Sequence, residues 1–268
     1  MTSSSDAGSL KRGVLLLRLL ATGGSRGLPL TDMAAKSGLP HPSVHRVLKQ
    51  LMAERMVEHN PETRRYRLGP LVFELGLAGS TMFDIRDLCQ PSMQALALST
   101  TDTVYLIARS GFDAVCVHRL EGSFPIRTLV LDVGSRRPLG VGAGGLAILA
   151  AIEEDERGEI IERVAPSLHA FGGITAPGLA KACDQARDYG AGVIQDTVNL
   201  GVSAIGVAFR DPMGQPVGAL SVAALSQRMT KQRIQDTARA LKAECQEVEK
   251  RLRAHKRGAW RAGNAPSS

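Results

Sequence analysis

The chain has 268 residues, a length that suggests about two domains, and it carries a formal net charge of +7. Residues 1–79 hold 11 lysines and arginines against 6 acidic residues, residues 80–228 hold 12 against 16, and residues 229–268 hold 10 against 4. A basic N-terminal part beside an acidic middle is typical of a nucleic-acid-binding module joined to a domain with another role. The longest apolar run, residues 141–152, is too short to cross a bilayer, which argues against a membrane protein.

The cysteines and the N-terminus bear on the cellular compartment. Cys89, Cys116, Cys183 and Cys245 lie far apart, form no CxxC pair and have no histidine at metal-ligand spacing. We therefore expect free thiols, no bound metal ion and no cofactor. Residues 1–13 lack the apolar segment of a signal peptide, so we expect a cytoplasmic protein.

The first domain is predicted to span residues 10–70, after a serine-rich leader, residues 1–9, that we expect to be disordered. A run of apolar residues predicts its first helix, which would pack behind the elements that follow. These residues are Val14, Leu15, Leu17, Leu19 and Leu20.

Residues 30–51, LTDMAAKSGLPHPSVHRVLKQL, fit a helix-turn-helix. Ala34 supplies the small side chain that two steeply crossing helices need where they touch. Gly38 falls in the turn, where a glycine adopts positive φ without a Cβ clash. Val44 and Val47 are expected to point inward from the second helix.

The outer face of that second helix is polar and basic, and we predict that it contacts base edges or phosphates in a DNA major groove. Its residues are Ser43, His45, Arg46 and Lys49. A short hairpin follows, with turn residues at 60–62, which is typical of the wing of a winged helix. Arg64 or Arg65, near its tip, is predicted to reach a minor groove or the DNA backbone.

Other interpretations of this region remain open. Alanines and an inter-helix glycine occur in any small helical domain, and Arg64 and Arg65 can equally be solvated charges of a turn. The order of helix, helix-turn-helix and basic hairpin favours a winged-helix DNA-binding domain over a coincidental core.

Residues 71–100 have the apolar spacing of helices, and they predict a helical connector with the domain boundary near Thr81. Pro91 fits the first turn of the second connector helix. A helical connector transmits orientation between domains, which a flexible linker does not.

Residues 101–255 are predicted to form an α+β domain with a mainly antiparallel sheet. Apolar spacing and turn residues predict its elements. They are a hairpin over 104–119, a strand over 126–131, a helix from 144 that continues through 153–157, a helix over 179–189 capped by Gly190, strands over 203–210 and 217–223 joined by a turn at 211–214, and a final helix from Thr230. Residues 256–268 are expected to be a basic, disordered tail.

The second domain contains few sequence motifs that indicate catalysis or ligand binding. Gly140, Gly142 and Gly145 match GxGxxG, but no strand leads directly into them, so a dinucleotide site is not expected. The helix start at 142–145 can bind a small carboxylate, or its glycines can simply let helix and sheet approach closely. Arg127 can pair with an acidic ligand or face solvent. With no nucleophile elbow, HExxH motif or catalytic constellation, we predict that the chain is not an enzyme.

The chain resembles the IclR family of bacterial transcriptional regulators over about residues 8–253. The resemblance is found in the winged helix, including the wing sequence YRLGP, and in two segments of the second domain, DVGSRRPLGVGAGGLAILA and GVSAIGVAFRDPMGQPVGALSVAA. The resemblance implies a C-terminal GAF-like domain that binds a small organic effector. It also implies assembly as a homodimer or homotetramer.

The resemblance also implies an effector site. Gly142 and Ala143 match ligand-contacting backbone of the family, and Ser221 matches a serine that faces the pocket. Ala204 and Ala223 stand where some members have a cysteine and a second serine. Residues 195–199 replace an often acidic run.

A more apolar cavity is therefore expected, with a larger or aromatic acid contacted by Phe124, Ile126, Leu129 and Ala204. We thus predict a regulator that binds a double-stranded DNA operator under control of a small organic effector. The alternative is a metabolite-binding protein or enzyme whose N-terminal helical domain serves assembly only.

Overall fold

The computed structural model describes residues 4–78 and 81–263. Contacts divide the chain into two compact units that separate between Phe83 and Asp84, with Asp132–Ser135 grouped with the first unit. This division falls close to the predicted Thr81. In the part of the chain that the structure describes, no helix is long and apolar enough to cross a membrane.

The N-terminal unit combines helices with a small antiparallel sheet. Its elements are α1 (Ser4–Thr22), a 3-10 turn (Gly24–Arg26), β1 (Leu28–Pro29), α2 (Leu30–Ser37), α3 (His41–Ala53), β2 (Val57–Asn60), β3 (Arg65–Leu68) and α4 (Pro70–Ala78). The strands pair in the order β1-β3-β2, so the predicted hairpin gains a third strand. Two residues are too few to show strand periodicity, which is why β1 was not predicted.

From Ser4 on, the N-terminal segment that was expected to be a disordered leader is part of helix α1. Residues 4–9 are therefore helical and not disordered. Serine and aspartate, which made this segment look like a leader, are also favourable near helix N-termini. Leu16 and Leu20 of α1 are fully buried, and the prediction had included only the second of them.

The helix-turn-helix has the predicted local geometry. Gly38 ends α2 in the left-handed region at φ +67°, and its N–H donates to the carbonyl of Ala34 at 3.0 Å. Ala34 is buried at the crossing, and Val44 and Val47 point into the core as expected. The class of this domain, a winged helix-turn-helix, is confirmed.

The C-terminal unit is an α+β domain built on one antiparallel sheet, as predicted. Its elements are α5 (Thr81–Thr100, whose first residues belong to the N-terminal unit), β4 (Thr103–Ser110), β5 (Asp113–Leu120), β6 (Arg136–Pro138), α6 (Ala143–Ala150), α7 (Glu154–Leu168), α8 (Ala176–Tyr189), β7 (Gly192–Gln195), β8 (Val202–Arg210), β9 (Pro216–Leu225) and α9 (Lys231–Gly263). The strand order is β6-β5-β4-β9-β8-β7, with every neighbouring pair antiparallel.

Helices cover both faces of this sheet. Tyr105 and Ile107 of β4 join the core that α6, α7 and α8 contribute on one face. Val104 and Leu106, which alternate with them along β4, join the core that α5 and α9 contribute on the other face of the sheet. Because successive side chains of a strand point to opposite faces, a strand buried on both faces is apolar throughout and does not alternate.

Several predicted elements differ from the structure. Residues 126–131 form no strand, and the helix expected to continue through 153–157 is broken at 151–153 into α6 and α7. Pro91 lies inside α5 and not in a first turn, because α5 begins at Thr81.

The C-terminal helix also departs from prediction. Helix α9 runs to Gly263, so residues 256–263 are helical where a disordered tail was expected, and residues 264–268 lie outside the described residues. The four cysteines are buried and form no disulfide. Burial raises the pKa of the Cys183 thiol to about 11, which leaves it protonated and unreactive.

Candidate nucleic-acid interface and ligand cavity

Helix α3 presents a buried and a polar face. Val44, Val47 and Leu48 are in the core, whereas the predicted DNA-contacting residues lie on the opposite side. Of these, His45, Arg46 and Lys49 are exposed and Ser43 is half-buried. Among the described residues, neither Arg46 nor Lys49 has an ion-pair partner, so both charges are available to an external ligand.

The wing is a tight turn between β2 and β3. The side-chain oxygen of Asn60 accepts hydrogen bonds from the N–H groups of Glu62 and Thr63, at 2.9 and 3.0 Å. Arg64 is exposed at the end of the turn with a positive φ of 55°. Arg65 is also exposed, but its Nη1 donates to the carbonyl of Gly27 at 3.0 Å, which ties the wing to the segment before β1.

A cavity lies in the C-terminal unit where α6 begins against the sheet. Gly142, Ala143, Ala204 and Ser221, four of the predicted effector-binding residues, line it together. Its volume is about 50 Å³, enough for a few water molecules.

Four residues that were predicted to contact the effector do not line this cavity: Phe124, Ile126, Arg127 and Leu129. Leu129 is half exposed, and Arg127 is paired with the carboxylate of Glu121 at 2.7 Å, with its side chain largely in solvent. Ile126, Arg127 and Leu129 lie outside the lining because residues 126–131 are not a strand, so alternate side chains do not point to one face. Val130 and Leu131 of the same segment line the cavity instead.

Glycines allow α6 to lie directly on the sheet. A Cβ on Gly206 of β8 would be 2.5 Å from the carbonyl oxygen of Ala143, and a Cβ on Gly144 would be 2.7 Å from Ile107. Gly142, the residue before α6, has a φ of +80° and provides no side-chain cap. The glycines therefore permit close packing, and they also leave the first N–H groups of α6 at the cavity.

Arg137 is a cavity residue that was not predicted from the sequence. It lies in β6, where its Nη2 donates to the carbonyl of Val130 at 3.0 Å, and burial lowers its pKa. The neighbouring Arg136 pairs instead with Asp113 at 2.7 Å and does not line the cavity. Consecutive side chains in a strand point to opposite faces, so the different surroundings of the two arginines follow from the strand β6. This strand was not predicted from the sequence, and Arg137 was therefore missed.

Tyr105 helps to fix one wall of the cavity. Its hydroxyl donates to the carbonyl of Thr128 at 2.5 Å and accepts from the N–H of Val130 at 3.1 Å. Burial raises the pKa of Tyr105 to about 12, so the phenol stays neutral and keeps its proton to donate. The irregular segment 128–131 is thus held by side chains and not by a strand ladder.

The loop 196–201 also borders the cavity, which Val198 and Asn199 line. Asp196 organises the loop by accepting hydrogen bonds from the N–H of Gly201 at 2.9 Å and the hydroxyl of Ser226 at 2.7 Å. Gly172, between α7 and α8, lies against this loop, because a Cβ there would be 2.0 Å from the carbonyl oxygen of Thr197.

Replacing Gly172 by alanine is expected to push the loop 196–201 away from its position. The new methyl group would meet backbone, which cannot yield as a flexible side chain does. We expect a free energy of unfolding lowered by about 2–3 kcal/mol, counting backbone strain at positive φ. Hydrogen exchange in peptides that cover 196–201 should be faster.

Gly173 supplies the matched control. It has the same φ of +70° as Gly172, but nothing lies within 4 Å of the place that its Cβ would take. Gly173→Ala therefore carries the backbone strain without the clash. If both substitutions lower stability equally and leave exchange in 196–201 unchanged, the contact with Thr197 has no role in holding the loop.

The winged helix with its exposed basic face, joined to a helix-covered sheet domain, defines the class of protein: a DNA-binding transcriptional regulator. The chain belongs to the IclR family, because the model of the IclR helix-turn-helix domain matches residues 9–61 and that of the bacterial transcriptional regulator IclR C-terminal domain matches residues 79–250. This confirms the resemblance found in the sequence.

Relatives and solved structures agree with this assignment. The HTH-type transcriptional repressor AllR of Escherichia coli strain K12 is 31% identical over 244 residues, which cover 87% of this chain and 88% of the repressor. An IclR transcriptional regulator from Alicyclobacillus acidocaldarius superposes with a TM-score of 0.73 at 23% identity, over 91% of this chain and 98% of that one. An IclR homologue from Microbacterium hydrocarbonoxydans, complexed with 4-hydroxybenzoate, has a TM-score of 0.70 at 23% identity, over 92% and 99%. These relatives are named as transcriptional regulators.

Proposed function

We propose that the chain binds a double-stranded DNA operator through the outer face of α3 and the wing, and that a small organic effector in the C-terminal cavity changes this binding. The observation that carries the DNA-binding part is the exposure of Arg46 and Lys49, which have no ion-pair partner among the described residues, opposite a buried inner face of α3. In this function His45, Arg46 and Ser43 meet base edges, while Lys49, Arg64 and Arg65 meet phosphates or a minor groove.

A symmetric assembly is part of the proposal. One winged helix buries little surface on DNA, so specific affinity requires two copies that bind two half-sites. Exposed apolar side chains on α1 and α4, namely Leu10, Val14, Phe73 and Leu75, offer the N-terminal unit a surface for a second copy. The assembly is a homodimer or a homotetramer, and it works in the cytoplasm, where the operator is.

The effector part rests on the cavity at the start of α6. A related protein was crystallised with 4-hydroxybenzoate, which shows that a member of this fold takes up a small aromatic acid. An effector acts on DNA binding only through its different affinities for the two states of the regulator. Gly142, Ala143, Ala204 and Ser221 line the cavity together, which supports it as the effector site where the difference in affinity arises.

The function is tested by titrating the full chain into labelled DNA from upstream of its own gene. We expect sequence-specific binding whose affinity falls steeply as salt rises, because phosphate contacts release counterions. Binding that is equally tight to unrelated DNA of the same length, or no binding at low salt, would contradict the proposal. Turnover of a metabolite without DNA affinity would favour the alternative of an enzyme that uses its N-terminal domain for assembly.

A further inference from the structure

The cavity of the C-terminal unit contains a charge that the protein itself does not neutralise. Of the described residues that line it, Arg137 alone has a charged side chain, and most others are apolar, among them Ile107, Val141 and Ala204. A cation beside apolar walls is unfavourable unless an anion compensates it. Arg137 is half-buried, and Nε and Nη1 are not among the buried atoms that lack a partner, so the free side of its guanidinium is open to a ligand that enters the cavity.

Arg137 uses only part of its guanidinium within the protein. Nη2 donates to the carbonyl of Val130, and the ring of Phe171 lies 6.0 Å from the guanidinium carbon. Among the described residues, no carboxylate pairs with Arg137, and neither Nε nor Nη1 has a hydrogen-bond acceptor. Burial lowers the pKa of this arginine, as expected for a charge that lacks a counterion.

The unused side of the guanidinium lies beside the start of α6. Nη1 is 3.8 Å from the position that a Cβ on Gly142 would take, and the hydroxyl of Ser221 is 3.5 Å from the corresponding position on Gly144. The first N–H groups of α6 have no acceptor within the helix and lie at its positive end. A guanidinium, a hydroxyl and peptide N–H groups thus converge on one small volume.

We propose that Arg137 makes this cavity selective for a singly charged organic anion, a carboxylate on an apolar body. The inference rests on the proposed function, which places a small effector in the cavity. One guanidinium compensates one negative charge, and a second cation is missing from the described lining, so a dianion is disfavoured. Removal of the carboxylate's charge removes the partner of Arg137, so the neutral amide of the same acid binds weakly.

The test compares acids with their amides on the full chain. The pairs are acetate and acetamide, benzoate and benzamide, and 4-hydroxybenzoate and 4-hydroxybenzamide, followed by thermal unfolding and calorimetric titration at constant ionic strength. The cavity volume of about 50 Å³ suits an acid of the size of acetate, whereas a benzoate-sized acid has to enlarge the cavity. We expect at least one acid to stabilise the protein where its amide does not. Arg137→Met should weaken the apparent Kd of that acid by about 10- to 100-fold, and Arg137→Lys should retain the preference for acid over amide.

Arg136→Met is the matched control, because Arg136 pairs with Asp113 and lies outside the cavity lining. It should change the apparent Kd by no more than about twofold. Three results would overturn the proposal: an amide that stabilises as well as its acid, an acid that binds Arg137→Met as tightly as the wild type, or no stabilisation by any of the acids. Operator binding by the same wild-type sample, measured with and without each acid, separates these outcomes from failure of the proposed function.

Discussion

Replacement of Arg46 by alanine will weaken specific operator binding by about 5- to 150-fold, the equivalent of roughly 1–3 kcal/mol for a base-contacting arginine. Arg46 is exposed on α3 and has no ion pair to lose among the described residues, so the folded state should be unaffected. Fluorescence anisotropy titrations with operator and with scrambled DNA measure the effect. The loss should be larger for the operator, because a base contact discriminates between sequences and a phosphate contact does not.

Arg187→Ala is the control for removing one positive charge. Arg187 is exposed on α8 of the C-terminal unit, and its loss should leave operator affinity nearly unchanged at physiological salt. Arg46→Ala with wild-type affinity for the operator would remove this residue from the interface. Equal losses on operator and scrambled DNA would reassign Arg46 to a phosphate.

Replacement of Gly206 by alanine is expected to have the largest effect on stability. The new Cβ would lie 2.5 Å from the carbonyl oxygen of Ala143, 2.6 Å from its carbonyl carbon and 2.7 Å from the nitrogen of Gly144. All three are backbone atoms, so α6 must move off the sheet and disturb the cavity that it bounds. We expect a loss of about 3 kcal/mol and a Tm lower by roughly 6–12 °C, measured by circular dichroism.

A second glycine-to-alanine change should act in the opposite direction. Gly158 is exposed in α7, and nothing lies within 4 Å of the position of its Cβ. Alanine has the higher helix propensity, so Gly158→Ala should stabilise by about 0.5–1 kcal/mol. A Gly206→Ala protein with unchanged Tm would show that α6 and β8 are not in close contact.

The elements that could be predicted are those whose signal is local. Gly38 ends a helix at positive φ, and Gly190 ends α8 in the same way. The turn at 211–214 is fixed by the side chain of Asp211, which accepts two backbone N–H groups. Each signal lies within a few residues of the feature that it specifies. The strands β1, β6 and β7 were missed because two to four residues show no clear period and, unlike β2 and β3, these strands are not joined to their partners by a tight turn.

The cavity was only partly predictable for a different reason. Gly142, Ala143, Ala204 and Ser221 were reached through the family resemblance, and the structure brings them together. Tyr105 and Arg137 were not identified as cavity residues, because their hydrogen-bond partners are carbonyl and N–H groups of the irregular segment 128–131. The position of such a segment depends on contacts between residues that are distant in sequence, and neither periodicity nor turn chemistry reveals it.

The doubly covered sheet has a mechanical implication for signalling. Strand β4 sends Tyr105 toward the cavity, and its neighbours Val104 and Leu106 toward α5, the helix that leads covalently to the DNA-binding unit. A single thickness of peptide backbone thus separates the core that contains the cavity from the core that contains the connecting helix. Because packed interiors resist compression, a shift imposed on one side of this partition is passed to the other as a movement of whole strands.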